Sequence, residues 1–171
     1  MTTTAATART RTHEWADPMV TAAAAPGMSG LEFLEALARR ELPPPPIMST
    51  LGYEGLEVGP GWARFTMTPG EHHYNPIGSV HGGVLATLLD SALSCAVHTT
   101  LPAGVGYTTV DLRVSYVKPL TASTGPVRAE GRVIHAGSRI ATAEGRVTDA
   151  DDRLYAHATV TCLVIRSEGV R

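Results

Sequence analysis

Asn75 to Asp90 reads NPIGSVHGGVLATLLD, and the fold turns on how its two halves divide. The first half is polar and turn-forming. The second, from Gly82, is an apolar run to about Val97 that carries one carboxylate. This is the pattern of a loop feeding a helix. N–H groups in the first turn of a helix have no intrahelical acceptor, and a glycine there lets a ligand oxygen approach without a Cβ in the way. Negative charge is favoured at such an end.

At about 100° per residue, Val84, Leu85, Leu88, Leu89, Ala92, Leu93 and Ala96 cover one broad side of this helix. Thr87, Asp90, Ser91 and Ser94 fall together on the other. Between Gly82 and Leu101 there is no Lys, Arg or Glu, and Asp90 is the lone charge. A solvent-facing stripe normally carries Lys and Glu, so the Asp90 side is expected to be covered, by protein. Desolvating a carboxylate is costly, and placing an acid or base beside reacting atoms is a usual reason to tolerate it. The plainer alternative is a helix Asp held by Ser94 or by a neighbouring loop.

The flanks are strands. Tyr107 to Val117 alternates, with Val110, Leu112, Val114 and Tyr116 on one side and Thr109, Asp111, Arg113 and Ser115 on the other. Further runs at about 125 to 136, 139 to 149 and 153 to 165 are broken by Gly137-Ser138 and by Asp149 to Asp152. Upstream, strand-like runs within 47 to 58 and 62 to 68 flank the turn Gly59-Pro60-Gly61. Connections this short force antiparallel pairing. Residues 29 to 46 read as an accessory helix, with a Ser29/Glu32 capping box, followed by an extended polyproline spacer at Pro43 to Pro46. Residues 1 to 28, rich in Thr and Ala, read as a disordered tail with only a compositional likeness to a transit peptide and no apolar signal core. The folded domain is expected over 47 to 166, with a C-terminal tail at 167 to 171.

The 171 residues, 43% hydrophobic, suffice for one packed core. A net charge of -2, with 14 Lys and Arg spread thinly, excludes a nucleic-acid binder, which needs a concentrated basic surface. No membrane role is expected. Cys95 and Cys162 sit among apolar residues and read as buried thiols suited to a reducing, cytoplasmic compartment, not as a disulfide, metal pair or nucleophile. The histidines lack acidic or Cys companions at ligand spacing, so no metal is expected.

Strand, strand, HGG loop, long helix and four strands together resemble the hotdog fold, an α+β arrangement in which an antiparallel sheet wraps a central helix. More narrowly, NPIGSVHGG followed by LLD resembles the PaaI-type acyl-CoA thioesterases, over about Ile47 to Ile165. The resemblance implies hydrolysis of an acyl-CoA thioester without a separate cofactor. It matches Asp90 to the family's acid, Asn75 and His81 to its loop residues, and the Gly82 N–H to the donor that polarises the thioester carbonyl. Thr109 stands where related enzymes carry a Ser that places water. It further implies a homodimer, often paired into a tetramer.

These residue types suit the chemistry. Thioester hydrolysis passes through a tetrahedral oxyanion, which needs fixed N–H donors and a group that attacks or activates water. Asn75 can orient water or Asp90. His81 can fix the HGG turn or protonate the leaving thiolate. Gly83, Ser94, Thr109, Ser138 and Arg139 are candidate substrate contacts, the last two for the nucleotide phosphates, and Tyr53, Trp62, Phe65 and Tyr74 are candidates for the acyl pocket.

Spacing adds a demand of its own. Gly82 and Asp90 lie eight residues apart, roughly 12 Å along a helix, whereas reacting groups meet within about 3 to 3.5 Å. The Gly82 donor of one subunit is therefore expected to face Asp90 of another. Two other readings remain at this stage: a hotdog hydratase or dehydratase using His81 with Asp90, and a non-catalytic acyl-CoA binder.

Overall fold

The computed structural model describes residues 7 to 166; residues 1 to 6 of the tail expected over 1 to 28, and the tail expected at 167 to 171, lie outside the described residues. Among the described residues there are four α-helices: α1 (Pro18–Ala24), α2 (Gly30–Ala38), α3 (Pro46–Leu51) and α4 (Gly82–His98). Six strands follow the order β1 (Tyr53–Gly59), β2 (Trp62–Met67), β3 (Val105–Tyr116), β4 (Val127–Ala136), β5 (Ile140–Asp149) and β6 (Leu154–Arg166) along the chain. In space they form one sheet, β1-β2-β4-β5-β6-β3, with every pairing antiparallel. The sheet curls around α4, which is the hotdog arrangement.

The packing follows from side-chain size. Leu88, Leu89, Ala92, Leu93 and Val97 on α4 are fully buried. Five of the strand residues in the same core are alanines, Ala129, Ala141, Ala143, Ala156 and Ala158, set among larger ones such as Phe65, Met67 and Val147. At Gly131 a Cβ would sit 2.5 Å from the Ala92 carbonyl oxygen, and at Gly145 it would sit 2.6 Å from a Leu93 methyl. Long leucines on the helix thus interlock with a sheet face kept low at those glycines. Truncating one of them to Ala costs about 2 to 5 kcal/mol by leaving a cavity that close packing cannot collapse.

The helix starts where His81 caps it and ends where the Thr99 and Thr100 hydroxyls donate back to the Ala96 and Val97 carbonyls, at 2.6 and 2.8 Å. The capping box of α2 forms as expected, with the Ser29 N–H and hydroxyl both donating to Glu32. Gly30 then docks α2 against the end of α4. Its N–H donates to the Leu101 carbonyl at 2.9 Å, and a Cβ there would lie 1.8 Å from the His98 carbonyl oxygen.

Three expectations need correction. Residues 46 to 51 are helical, not strand: Pro46 supplies the fixed φ of a first helical turn, and Gly52, at φ 70°, closes the helix in the left-handed region. Within the segment read as a disordered tail, residues 18 to 24 form α1. The Asp17 side chain accepts from the Met19 N–H, Pro18 opens the helix, and the buried Thr21 hydroxyl donates to the Pro43 carbonyl at 2.7 Å.

The third correction matters for function. Strand β3 carries a bulge between Thr109 and Asp111, and Val110 is left unpaired and exposed. A bulge inserts one residue and reverses the side on which later residues point. Thr109 therefore joins Tyr107, and beyond the bulge Leu112 and Val114, on the inner side, not the outer one.

Candidate active site

Asp90 stands midway along α4, half-buried. The bulge in β3 aims Thr109 at it. The Thr109 hydroxyl donates to Asp90 Oδ1 at 2.9 Å and the Ser94 hydroxyl to the same oxygen at 3.2 Å, the two hydroxyl oxygens lying 2.9 Å apart. Asp90 Oδ2 has no hydrogen-bond partner among the described residues. One oxygen is thus anchored and the other is open. Two donors on one oxygen hold the carboxylate in a single orientation and leave the other oxygen's lone pairs unspent.

Asp90 lines a cleft of about 520 Å³ that is polar along Ser91, Ser94, Thr108 and Thr109 and otherwise largely apolar: Ile47 and Met48 from α3, Tyr53, Phe65, Cys95 and Tyr107. Tyr53 and Phe65 pack with ring centroids 5.5 Å apart. The Tyr53 hydroxyl lies 3.4 Å from the Ser91 hydroxyl, and burial pushes its pKa up to about 12. Burial raises the Cys95 thiol to about 12 as well, and Tyr107 is pushed well above its ordinary range by the same cause. Neither the thiol nor the phenols ionise near neutrality, so among these groups Asp90 is the one suited to base chemistry. Cys162, paired with Thr109 across β3 and β6, is also raised by burial. The two cysteines are free.

The other half of the predicted site lies at the start of α4. His81 Nδ1 accepts from the Gly83 N–H at 2.9 Å, which fixes the ring as an Nε2–H tautomer and uses the Gly83 donor locally. The Gly82 N–H has no acceptor among the described residues. The Tyr116 hydroxyl donates to the Gly82 carbonyl at 2.9 Å and so orients the peptide behind it. Asn75 builds the preceding loop: its Oδ1 accepts from the Ile77 and Ser79 N–H groups at 3.0 and 3.2 Å, and its Nδ2 donates to the Ser79 hydroxyl at 3.0 Å. Within the chain its amide shapes the loop and does not touch Asp90. A second support comes from the His81 N–H, which donates to the carbonyl of buried His73 at 2.8 Å.

The structure therefore brings Asp90, Ser94 and Thr109 together, and separately His81, Gly82 and Gly83. Ser138 and Arg139 join neither group. They turn the β4–β5 hairpin beside the end of β6, where Val164 N–H donates to the Arg139 carbonyl. Of the candidate aromatic residues, Tyr53 and Phe65 line the Asp90 cleft. Trp62 lies under Arg64, with 5.7 Å from the guanidinium carbon to the ring centroid, and the Tyr74 hydroxyl accepts from the Ala122 N–H. Tyr107, Met48 and Tyr116 were not singled out from sequence. Tyr116 lies on the inner side of β3 by its alternation with Val114, and that was the one signal available. Among the described residues no cluster of His, Cys, Asp or Glu is arranged to hold a metal ion, and no helix is long and apolar enough to cross a membrane.

Comparison with known proteins places the same region in a family. The model of the thioesterase superfamily matches residues 77–156. A Halobacterium salinarum protein provisionally named an esterase is 39% identical over 118 residues, spanning 66% of this chain and 76% of its own length. A solved Ralstonia eutropha structure, provisionally described as a thioesterase related to phenylacetic acid degradation, aligns with a TM-score of 0.68 at 28% identity. That alignment covers 76% of this chain and 98% of its own. A Haemophilus influenzae thioesterase aligns with a TM-score of 0.69 at 25% identity, over 81% and 94%.

Proposed function

Because the chain belongs to the thioesterase superfamily, we propose that it hydrolyses acyl-CoA thioesters, with Asp90 as the group that attacks the carbonyl or deprotonates the attacking water. The observation that carries this reading is the half-anchored carboxylate. Oδ1 is held by Thr109 and Ser94 while Oδ2 has no partner among the described residues, and Asp90 lines a cleft with largely apolar far walls. Such a cleft suits an acyl group, and the anchored carboxylate keeps one oxygen free to act on the carbonyl or on water.

The thioester carbonyl oxygen, which gains negative charge as the tetrahedral centre forms, is taken by the spare Gly82 N–H at the positive end of α4. Collapse of that centre expels the thiolate of coenzyme A and leaves the free acid, or an acyl–Asp90 anhydride that water then opens. The eight-residue separation, roughly 12 Å along α4, keeps Gly82 and Asp90 of one chain from sharing a carbonyl. The working site is therefore formed by two subunits. Strand β3 supports this assembly: it is a sheet edge twelve residues long, with Val110 and Tyr116 exposed on it and Val117 just beyond. Long edge strands with exposed apolar residues favour pairing with another chain. The enzyme is thus read as a homodimer that pairs into a tetramer, working in the cytoplasm without metal or separate cofactor.

Thiol release from a panel of acyl-CoAs, with analytical ultracentrifugation in parallel, tests the proposal. Turnover by the dimer, lost in Asp90→Ala, is expected. A fully active monomer would overturn the shared site, and absence of thiol release across short, long and aryl acyl groups would overturn the activity.

A further inference from the structure

The segment before α1 reaches across α3 to the start of α4, far from it in sequence. There it walls a cleft of about 670 Å³ whose other sides include His72, His81 and Gly83. Arg11 holds the wall in place. Its Nη1 donates to the Thr50 carbonyl at 3.0 Å and its Nη2 to the Ser49 carbonyl at 3.2 Å, and His13 Nδ1 lies 3.1 Å from that same Ser49 oxygen. Two of the five guanidinium donors suffice for this tether. Among the described residues no carboxylate lies within ion-pair distance of Arg11, and Glu71, the nearby acid, is taken by Arg9.

The cleft thus gathers one guanidinium and four histidine rings, His13, His72, His73 and His81, and no carboxylate is among its lining residues, although Glu71 from outside the lining opposes the positive charge at His72. Arg11 is permanently charged, and its charge reaches His72 and His73. Burial first, and then the charges of Arg11 and His13, hold His72 below its ordinary pKa. Burial likewise lowers His73, whose ring is locked between the Gly70 N–H and the Leu51 carbonyl. Groups that repel one another in this way are reconciled by an anion placed among them. His81 presents its Nε2–H to the same space, because its Nδ1 is committed to Gly83.

We propose that this cleft binds an anionic oxygen group of the substrate, a carboxylate on the acyl portion or a phosphate of the thiol carrier, through Arg11 with His13 and His72. The assignment rests on the thioesterase reading for the identity of the bearer, but not for the anion site itself. Arg11 and His13 lie outside residues 77–156, which the family model matches. The site is therefore a property of this chain's N-terminal segment and sets specificity, not chemistry.

Two measurements test it. In the first, the imidazole resonances of His13 and His72 are followed by NMR at constant ionic strength while inorganic phosphate or glutarate is added. Saturable shifts are expected in the wild type. Arg11→Gln, whose amide can still donate to a carbonyl, should weaken binding roughly tenfold or more, as for loss of a charged hydrogen bond. Arg11→Lys should retain most of the binding. No saturable shift in a folded wild type, or equal binding by Arg11→Gln, overturns the site.

In the second, kcat/KM of Arg11→Gln is compared on a glutaryl and a butyryl thioester of a phosphate-free thiol, and on butyryl-CoA. A loss of about tenfold confined to the glutaryl substrate assigns the acyl carboxylate, and one confined to the CoA substrate assigns the carrier phosphate. Equal loss on all three, the outcome of a merely structural Arg11, overturns the substrate role. Saturable anion binding with no thioester hydrolysed at all would leave the site standing and remove the proposed activity.

Discussion

Asp149 and Asp90 both stand at the interior margin of the molecule, and they are treated in opposite ways. Asp149, on the β5–β6 turn, spends both oxygens: Oδ1 accepts from the N–H groups of Asp151 and Arg153, and Oδ2 from the Tyr155 hydroxyl. Asp90, which lines a cleft, spends one, on the hydroxyls of Ser94 and Thr109, and leaves the other without a partner among the described residues. The first arrangement closes a turn, and nothing is left over for a ligand. The second fixes a side chain in one rotamer while keeping a lone pair free, which is what a reacting group needs. Burial alone does not distinguish a structural acid from a working one; the count of donors on each oxygen does.

The sharpest break of this comparison is Asp90→Asn. The amide keeps the shape and can still accept from Thr109, so melting temperature should change by only a few degrees. Activity should fall on the order of 10³-fold or more, because the open atom no longer carries charge. A variant with a tenth of wild-type kcat would make Asp90 a second structural acid. Circular dichroism melts and thiol-release rates on the same preparations decide this.

Next in size is the donor that the proposed shared site takes from the other subunit. Gly82→Pro removes the spare N–H, and Gly82→Ala retains it while adding a Cβ about as close to the Tyr116 ring as the proline would, at 3.0 Å. The proline variant should lose about 10²-fold in kcat, in line with removal of an oxyanion donor, and the alanine variant much less. Mixing Gly82→Pro with Asp90→Ala chains and allowing exchange should restore about a quarter of wild-type activity, since half of the dimers are then mixed and each holds one intact site. No recovery after demonstrated exchange would put donor and acid in the same chain, against the helix geometry.

Thr109→Val tests the anchored oxygen. It preserves shape and removes one of the two donors, leaving Asp90 freer to rotate. A loss of about tenfold in kcat with little change in KM is expected, since positioning and not binding is affected. An unchanged kcat would mean that Ser94 alone holds the carboxylate.

The broad plan was legible because the periodic signals were strong. Gly82 to His98 announces itself by its leucines and by the absence of Lys and Glu around Asp90. The short turns dictate antiparallel strands. What failed was local and steric. A bulge at Val110 has no compositional mark, since a β-branched residue is at home in any strand, and so alternation put Thr109 on the wrong side. Ile47 to Leu51 looked like the beginning of a strand, although Pro46 and Gly52 are the punctuation of a short helix. Asp17-Pro18 is a similar missed helix start. The pairing of Arg11 with Ser49 and Thr50 is long-range, and no spacing rule could have found it. At the site, Asp90 could be read from its surroundings, Gly82 and Asn75 came with the family resemblance, and Tyr107 and Met48 became visible only with the fold.

The smallest effect on activity is expected at Asp149, and its pH dependence separates the two acids. Burial pushes its carboxyl up, but the Arg153 N–H, the Tyr155 hydroxyl and the Asp151 N–H outweigh this and hold it below the ordinary carboxylate value. A group depressed in the folded state contributes stability at pH values above its unfolded pKa, near 4. That contribution is lost as pH falls through the depressed folded value. Asp149→Asn places an NH2 or a neutral oxygen against the same donors and has nothing to titrate. Its melting temperature should therefore lie below that of the wild type at pH 7, and the gap should close as the pH is taken well below 4. With both halves of the active site untouched, kcat at pH 7 should stay within about twofold of wild type in a variant that is only modestly destabilised. A gap of constant width from pH 7 to pH 2 would mean that the donors around Asp149 do not favour its charge. Saturation by donors would then no longer mark the structural acid.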